Sequence, residues 1–403
     1  SESWCSTAGN LAVRQSCPPT RTLLSILERI TFSGGHEVCL CCLSKDLSWA
    51  ILVLIVQPAS EPRFWEWAGS LFSGTRAETL VMKRDEQARP LKPPTSVPEQ
   101  IELLRSRGMA VDDELASQWL EAVLYYRLSA YWYPLRRVDT EEHVEDGFVP
   151  GADFADVVAL YEADRKLRTL IHDGMERIEV GLRSRLTSLL CRDNALGYQE
   201  RRFYRSGFDL DGWLRTARRR VDRAGAHNTA IDHYKKQYGG QYPFWVLSEV
   251  LDFGDVSKLY QGLTYKAQAQ IAETFGITID LGALSKNERK IVRRRHPLAS
   301  WFEQLTIVRN TCAHHGRLWN KSFVPASTKY VRTIPGLESL PDGQSERIYG
   351  AVLFMAHLLN ILSPGTSWPV KVNNHIANCF LTLPMVKAHS LGITSNQTIH
   401  PGS

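Results

Sequence analysis

The sequence predicts a folded protein of the all-α class, and three observations support this prediction. From residue 99 onward, apolar residues recur at steps of three and four, the spacing that places them along one face of an α-helix. The same stretch contains no alternating apolar and polar series of the kind that forms strands. A chain of 403 residues, 43% of them hydrophobic, is also able to bury a sizeable core. We therefore expect a folded, helical protein.

A cap and a proline mark the first predicted helix. Asp112 or Asp113 is suited to accept hydrogen bonds from the free backbone amides of a first turn. The apolar pattern then runs on into the aromatic cluster at 125–133. Pro134 is predicted to end this helix, because proline lacks the amide proton that a helix interior needs.

The longest apolar stripe begins after a second capping residue, Asp153, and reaches Leu189. Gly174 and Gly181 lie inside it. We expect these glycines to bend the helix without ending it.

Prolines and glycines set the boundaries of the later helices. One helix is predicted to begin near Pro243, with Gly254 and Asp255 separating it from the next apolar series. Pro297 fits the first turn of a helix, where a missing amide proton costs little. The last clear pattern spans about 346–362, and order is expected to weaken beyond it.

The first 81 residues differ from the rest in composition. They hold five of the eight cysteines, and the first methionine of the sequence is Met82. We interpret 1–81 as translated upstream sequence with the native start at Met82, the alternative being a genuine but poorly patterned extension. The remainder is predicted to form a proline-rich lead-in at 82–98, a helical domain at 99–370 and a weakly ordered tail at 371–403.

The formal charge of +5 lies wholly after residue 81, because 1–81 contains six basic and seven acidic side chains. A mildly basic body suits a polyanionic partner, although solubility alone explains it as well. Three scattered cysteines after residue 81 do not form a disulfide framework, which favours a cytoplasmic protein. The longest apolar run, at 49–56, is far below the roughly 20 residues of a spanning helix, so no membrane partner is expected.

Four side chains with catalytic potential fall near the end of the helix that begins at Pro297: Arg309, Asn310, His314 and His315. Arginine carries a permanent planar cation suited to phosphate, and histidine both takes and gives a proton near neutral pH. On an ideal helix, residues five apart are separated by about 140°. The helix must therefore end or distort there, or a second copy must complete the site. Gly316, just beyond, is suited to end a helix.

Two plainer interpretations apply to this cluster. An arginine and a histidine at such a spacing are often only a surface pair. Cys312, His314 and His315 are also zinc-ligating residue types, but they are crowded together, and no CxxC or HxxxH partner lies elsewhere. We predict no metal site, and spacing alone does not establish a catalytic one.

Five longer blocks follow one another along the chain: YYRLSAYWYPLR at 125–136, LYEADRKLR at 160–168, ERIEVGLRS at 176–184, PFWVLSE at 243–249 and VRNTCAHHGRLWN at 308–320. With these blocks the chain resembles the Abi family of bacterial abortive-infection proteins, over nearly all of 92–369. Residues 1–81 have no counterpart in the resemblance.

The last block is similar to the HEPN signature, in which arginine is followed by a polar residue, three further residues and histidine. By position the signature gives Arg309, Asn310 and His314, and it leaves the role of His315 open. The resemblance implies a HEPN-like helical domain with additional helices, and a metal-independent endoribonuclease that needs no cofactor and acts on RNA.

The implied chemistry suits these residue types. The ribose 2′-OH would attack the adjacent phosphorus, His314 would act as general base or acid, and Arg309 would offset charge on the phosphoryl oxygens. One histidine does not easily serve both proton-transfer roles at once. Because no second Arg-Asn-x3-His run occurs in the chain, we favour a homodimer in which two motifs face each other.

Six other charged residues are weaker candidates for contact with RNA or for flanking the site. Surface ion pairs or a solvated face explain them equally well. The aromatic cluster at 125–133 is more readily explained by core packing than by base stacking. The six residues are Arg177, Glu179, Arg183, Arg219, Arg294 and Arg317.

The resemblance therefore implies an RNA-cleaving protein of anti-phage defence. The main alternative is a non-cleaving RNA-binding or toxin–antitoxin module that keeps the same fold, and a third is a structural interaction protein without affinity for nucleic acid. A regulatory RNA or an antitoxin is left open as a further partner.

Overall fold

The computed structural model describes residues 4–7, 11–14, 92–141 and 143–394. The chain divides into two compact units, Ser1–Lys92 and Pro93–Ser403. In the first unit, β1 (Trp4–Thr7) pairs with β2 (Leu11–Arg14) in antiparallel register. The predictions for 1–81 otherwise fall outside the described residues, and the boundaries at 82 and 99 remain predictions.

The second unit is built from α-helices, which confirms the all-α prediction. Two short antiparallel strand pairs accompany them, β3 (Arg136–Val138) with β4 (Val144–Phe148) and β5 (Ala326–Ser327) with β6 (Gln344–Ser345). The pattern predicted no strands, because pairs this short leave too few residues for an alternation to show. The helices are α1 (Val97–Ser106), α2 (Asp113–Val123), α3 (Tyr125–Trp132), α4 (Phe154–Leu190), α5 (Leu210–Ala224), α6 (Thr229–Gln237), α7 (Phe244–Leu247), α8 (Phe253–Gly262), α9 (Tyr265–Glu273), α10 (Lys286–Arg294), α11 (Pro297–Ala313), α12 (Ile348–Leu362), α13 (Trp368–His375) and α14 (Ala388–Leu391).

The 37-residue helix α4 is central to the core and packs against α3, α11, α12 and α13. The Asp153 side chain caps it by accepting the amide proton of Ala155, as the sequence predicted. The helix continues through both glycines. A Cβ at Gly181 would lie 2.5 Å from Leu362, and one at Gly174 would lie 2.8 Å from the Trp368 ring. These glycines therefore serve close packing of helices.

The first predicted helix is in fact two. Asp112 caps α2 as expected, but Leu124 separates α2 from α3 with a φ of 71° and a ψ of 138°. Its carbonyl accepts the amide protons of Arg127 and Leu128, which starts α3 in a new direction. Apolar spacing could not reveal this break, because leucine favours a helix and a single backbone turn leaves the pattern intact.

Two other boundaries also differ from the prediction. The break expected at Gly254 and Asp255 lies earlier, because Asp252 and Asp255 form a capping box that begins α8. The described part of the tail expected from 371 instead contains the end of α13, a π-helical turn at Ile376–Phe380 and the short helix α14, with turns between the last two. Trp368, Val372, Ile376 and Phe380 from this region are buried, so packing orders a segment whose own pattern is weak.

Helix α11 carries the predicted motif at its carboxyl end. Pro297 occupies its first turn, as expected, and His296 caps it by accepting the amide proton of Leu298. Trp301 is fully buried and stacks on Phe354 of α12 with ring centroids 4.1 Å apart. Val308 and Cys312 are also buried, so the carboxyl end of α11 is packed against the core as well. Among the described residues, no helix is both long and apolar enough to cross a bilayer.

Candidate active site

The motif lies at the carboxyl end of α11, where the helix closes in a left-handed turn. His314 caps the helix, and His315 has a φ of 55°. The amide of Gly316 donates to the Thr311 carbonyl at 2.7 Å, and that of His315 donates to the Cys312 carbonyl at 2.9 Å. This is the Schellman arrangement, with histidine where glycine is usual. The predicted termination is confirmed, but the left-handed residue is His315 and not Gly316.

Both imidazoles at this helix end are exposed, as is Asn310, whereas Arg309 is half-buried. Arg309 donates from Nη1 to Asn310 Oδ1 at 3.3 Å. Cys312 points into the core, where burial raises the pKa of its thiol to about 12. Its side chain is therefore directed away from the two exposed histidines. The described residues contain no group of three or more His, Cys, Asp or Glu placed to hold a metal ion.

A buried carboxylate anchors the motif arginine. Glu179 of α4, only 8% exposed, accepts from Arg309 Nε at 3.0 Å. Arg183, one turn along α4, approaches the other oxygen of Glu179 at 3.6 Å. One negative charge thus lies between two guanidinium groups, and a net positive charge remains. Within the part of the chain that the structure describes, Arg309 donates hydrogen bonds from Nε and Nη1 and none from Nη2.

Arg183 connects this cluster to the start of α8. Its Nη2 donates to the Leu251 carbonyl at 3.1 Å. The next residue, Asp252, forms ion pairs with Arg220 and Arg223 of α5. Arginines of α5 are therefore linked through the α8 cap to the motif, and the exposed Arg219 lies one helical turn before Arg223.

Comparison with family models matches residues 118–320 to the family described as Abi-like protein. The chain belongs to the Abi-like protein family. The match spans α3, α4 and the whole motif, and it confirms the resemblance to the Abi family over 118–320. Comparison with curated proteins and comparison with solved structures each give no match.

In this Abi-like protein, three of the weaker candidate residues lie away from the exposed histidines or serve another contact. Arg177 pairs with Asp173 and donates to Thr366 near α13. Arg317 is half-buried and donates to the Ala130 carbonyl, and burial lowers its pKa. Arg294 is exposed but precedes the amino end of α11, about 25 Å along that helix from the motif.

The structure also adds residues that the sequence analysis did not select. Arg127 donates from Nη1 to the His315 carbonyl at 2.8 Å. Asp164 accepts from the backbone amides of Leu318 and Trp319. A signal for Asp164 existed, because a charged residue interrupts the apolar stripe of α4, but the sequence does not indicate what it would contact.

Proposed function

We propose that this Abi-like protein is a metal-independent endoribonuclease of the HEPN type that acts in abortive-infection defence against phage in the cytoplasm. The family supports a role in abortive infection. The observation that carries the ribonuclease proposal is the end of α11. It presents two exposed imidazoles, an amide side chain and an arginine held in place by Glu179.

These residues suit cleavage by an internal nucleophile. In the proposed reaction a histidine removes the proton of the ribose 2′-OH, and that oxygen attacks the adjacent phosphorus. The 5′-oxygen leaves with a proton from a second histidine, which yields a 2′,3′-cyclic phosphate and a 5′-hydroxyl. Arg309 offsets the charge that develops on the phosphoryl oxygens, the part that a metal ion plays in other nucleases. Asn310 orients either a phosphate oxygen or the Arg309 guanidinium, with which it already shares a hydrogen bond.

The two proton transfers support a homodimer. In the proposed dimer, His314 of one copy is the general base and His314 of the other copy is the general acid. His315 lies next to His314 and would be able to take over its proton transfer. Arg183 and the exposed face of α5, including Arg219, would then contact phosphates further along the RNA. A regulatory RNA or an antitoxin would bind over the same face and restrain activity.

The test is cleavage of a labelled single-stranded RNA in EDTA, beside a DNA of the same sequence. His314→Ala is expected to lower cleavage by roughly 10² to 10⁴-fold, the usual contribution of a general acid or base, with RNA binding retained. His233→Ala is the matched control, because His233 is an exposed helical histidine on α6 outside the motif. The DNA should bind and stay intact, because it lacks the 2′-OH.

Other outcomes contradict the proposal in different ways. Products with 3′-hydroxyl ends, or an absolute need for a divalent ion, would show that water or a metal-bound hydroxide attacks. The second candidate is a non-cleaving RNA-binding module, in which Arg309, held by Glu179, and His314 would bind RNA without transferring protons. Loss of RNA binding in His314→Ala, without cleavage by the parent protein, would support that candidate.

A further inference from the structure

A buried ionic cluster lies beneath the motif turn. Asp164 is 0% exposed, and the neighbouring Arg168 and Tyr131 are also buried. Taking a carboxylate and a guanidinium out of water costs several kcal/mol per ion unless each is paired and hydrogen-bonded. Replacing such a pair by apolar side chains often leaves stability unchanged or improved. Stability alone therefore does not account for this cluster.

The contacts of Asp164 point to the motif. Its carboxylate accepts from Tyr131 Oη at 2.7 Å and from Arg168 Nη1 at 2.5 Å. It also accepts from the backbone amide of Trp319 at 2.9 Å and from that of Leu318 at 3.2 Å. Burial raises the pKa of the Asp164 carboxyl, and the charge of Arg168 and these hydrogen bonds act against that rise. The Asp164 side chain thus holds two backbone amides of the segment that follows the motif in the sequence.

Further contacts hold the turn from both sides. Arg168 Nη1 lies 3.4 Å from the Gly316 carbonyl, and Arg127 binds the His315 carbonyl from α3. In the other direction, Arg317, which follows the turn, donates to the Ala130 carbonyl of α3. His315 keeps a left-handed conformation that residues other than glycine seldom adopt, and such conformations persist where the surroundings over-determine them.

We propose that Asp164 and Arg127 are positioning residues, which clamp the turn after α11 and thereby set where the His314 and His315 imidazoles stand. Asp164 acts from inside through the amides of Leu318 and Trp319, and Arg127 acts from the surface through the His315 carbonyl. For catalysis this inference rests on the proposed ribonuclease function. The placement of the two rings does not depend on it.

Two variants test the clamp. Asp164→Asn keeps the shape and one acceptor oxygen but removes the charge. Arg127→Ala removes an exposed side chain and should fold regardless. Both are expected to lower kcat by about 10- to 100-fold, the effect of an error of about 1 Å in position, while KM and RNA affinity change little. The ring signals of His314 and His315 in NMR spectra should shift or broaden in both variants.

Matched controls separate positioning from general damage. Asp173→Asn removes another Asp–Arg pair at the same spacing on α4, at an exposed position that does not touch the motif. Ile231→Ala lowers stability by emptying a buried position on α6. Neither control should move the histidine signals or kcat.

The outcomes are distinct for the clamp and for the nuclease. If the parent protein cleaves no RNA, the proposed function fails, and the histidine signals still decide the inference about the clamp. If Asp164→Asn does not fold, Arg127→Ala decides it. Folded variants with parental kcat and unchanged histidine signals would overturn the proposal.

Discussion

Glu179→Gln isolates the contribution of the carboxylate that anchors Arg309. The substitution preserves side-chain shape but removes the charge between Arg309 and Arg183, whose guanidinium groups then repel each other. A hydrogen bond to a charged group contributes about 1.5–3 kcal/mol. Arg309 is about one-third exposed, so solvent screens part of this energy. We therefore expect the free energy of unfolding to fall by about 1–2 kcal/mol.

The same change should lower cleavage without weakening RNA binding. The site gains one unit of positive charge, so RNA affinity should stay level or rise. A misaligned Arg309 should lower kcat, and a loss of about 2 kcal/mol in transition-state stabilisation corresponds to about 30-fold. Urea unfolding, RNA binding and single-turnover cleavage measure the three quantities separately.

Glu176→Gln is the matched control, because Glu176 lies exposed on the same helix and its substitution changes the net charge equally. It should leave kcat and stability unchanged. A Glu179→Gln protein with parental kcat and parental stability would refute the view that this carboxylate holds Arg309 for function.

Three further predictions concern the helix end, the helix packing and the cap of α11. His315→Gly should raise the free energy of unfolding by about 0.5–1 kcal/mol in urea denaturation, because glycine adopts the left-handed conformation freely, and a loss would contradict the assigned strain. Gly181→Ala should lower it by about 1–3 kcal/mol, because the added Cβ would meet Leu362 at 2.5 Å, and an unchanged value would contradict the close packing. Burial lowers the pKa of His296 from 6.5 to about 4. Between those two pH values the unfolded state binds more protons than the folded state, so the free energy of unfolding should fall as the pH drops from 6.5 to about 4, by up to about 3 kcal/mol. His296→Asn can still cap α11 and should flatten this pH dependence, and an unchanged slope of stability against pH would show that other groups cause it.

The helices that the sequence predicted best have long apolar stripes and capping residues. Helix α4 begins after its predicted cap at Asp153, and α11 begins at Pro297. In both, the local signal and the tertiary packing favour the same structure. The break at Leu124 could not be predicted, because it depends on a single backbone conformation that leucine does not favour.

The motif could be selected from the sequence, but its surroundings could not. Arg309, Asn310, His314 and His315 lie close together in the chain, so a short pattern contains them all. Arg127 and His315 are 188 positions apart, and Asp164 and Leu318 are 154 apart. No local pattern encodes contacts over such separations. The charged residue in an apolar stripe marks a buried partner but does not identify it.

The geometry of the helix end bears on how the proposed reaction would be completed. Burial of Val308 and Cys312, the pairing of Glu179 with Arg309 and the contacts of Asp164 hold the end of α11 from beneath. The two imidazoles above it face solvent. Charge stabilisation of a phosphoryl transition state is strongest where water is excluded, and this face of one chain does not exclude it. The proposed reaction would therefore gain from a covering surface, and a second copy would supply both the cover and the second histidine, whereas RNA alone would supply only the cover. This difference is the physical reason for preferring the homodimer over a monomeric nuclease.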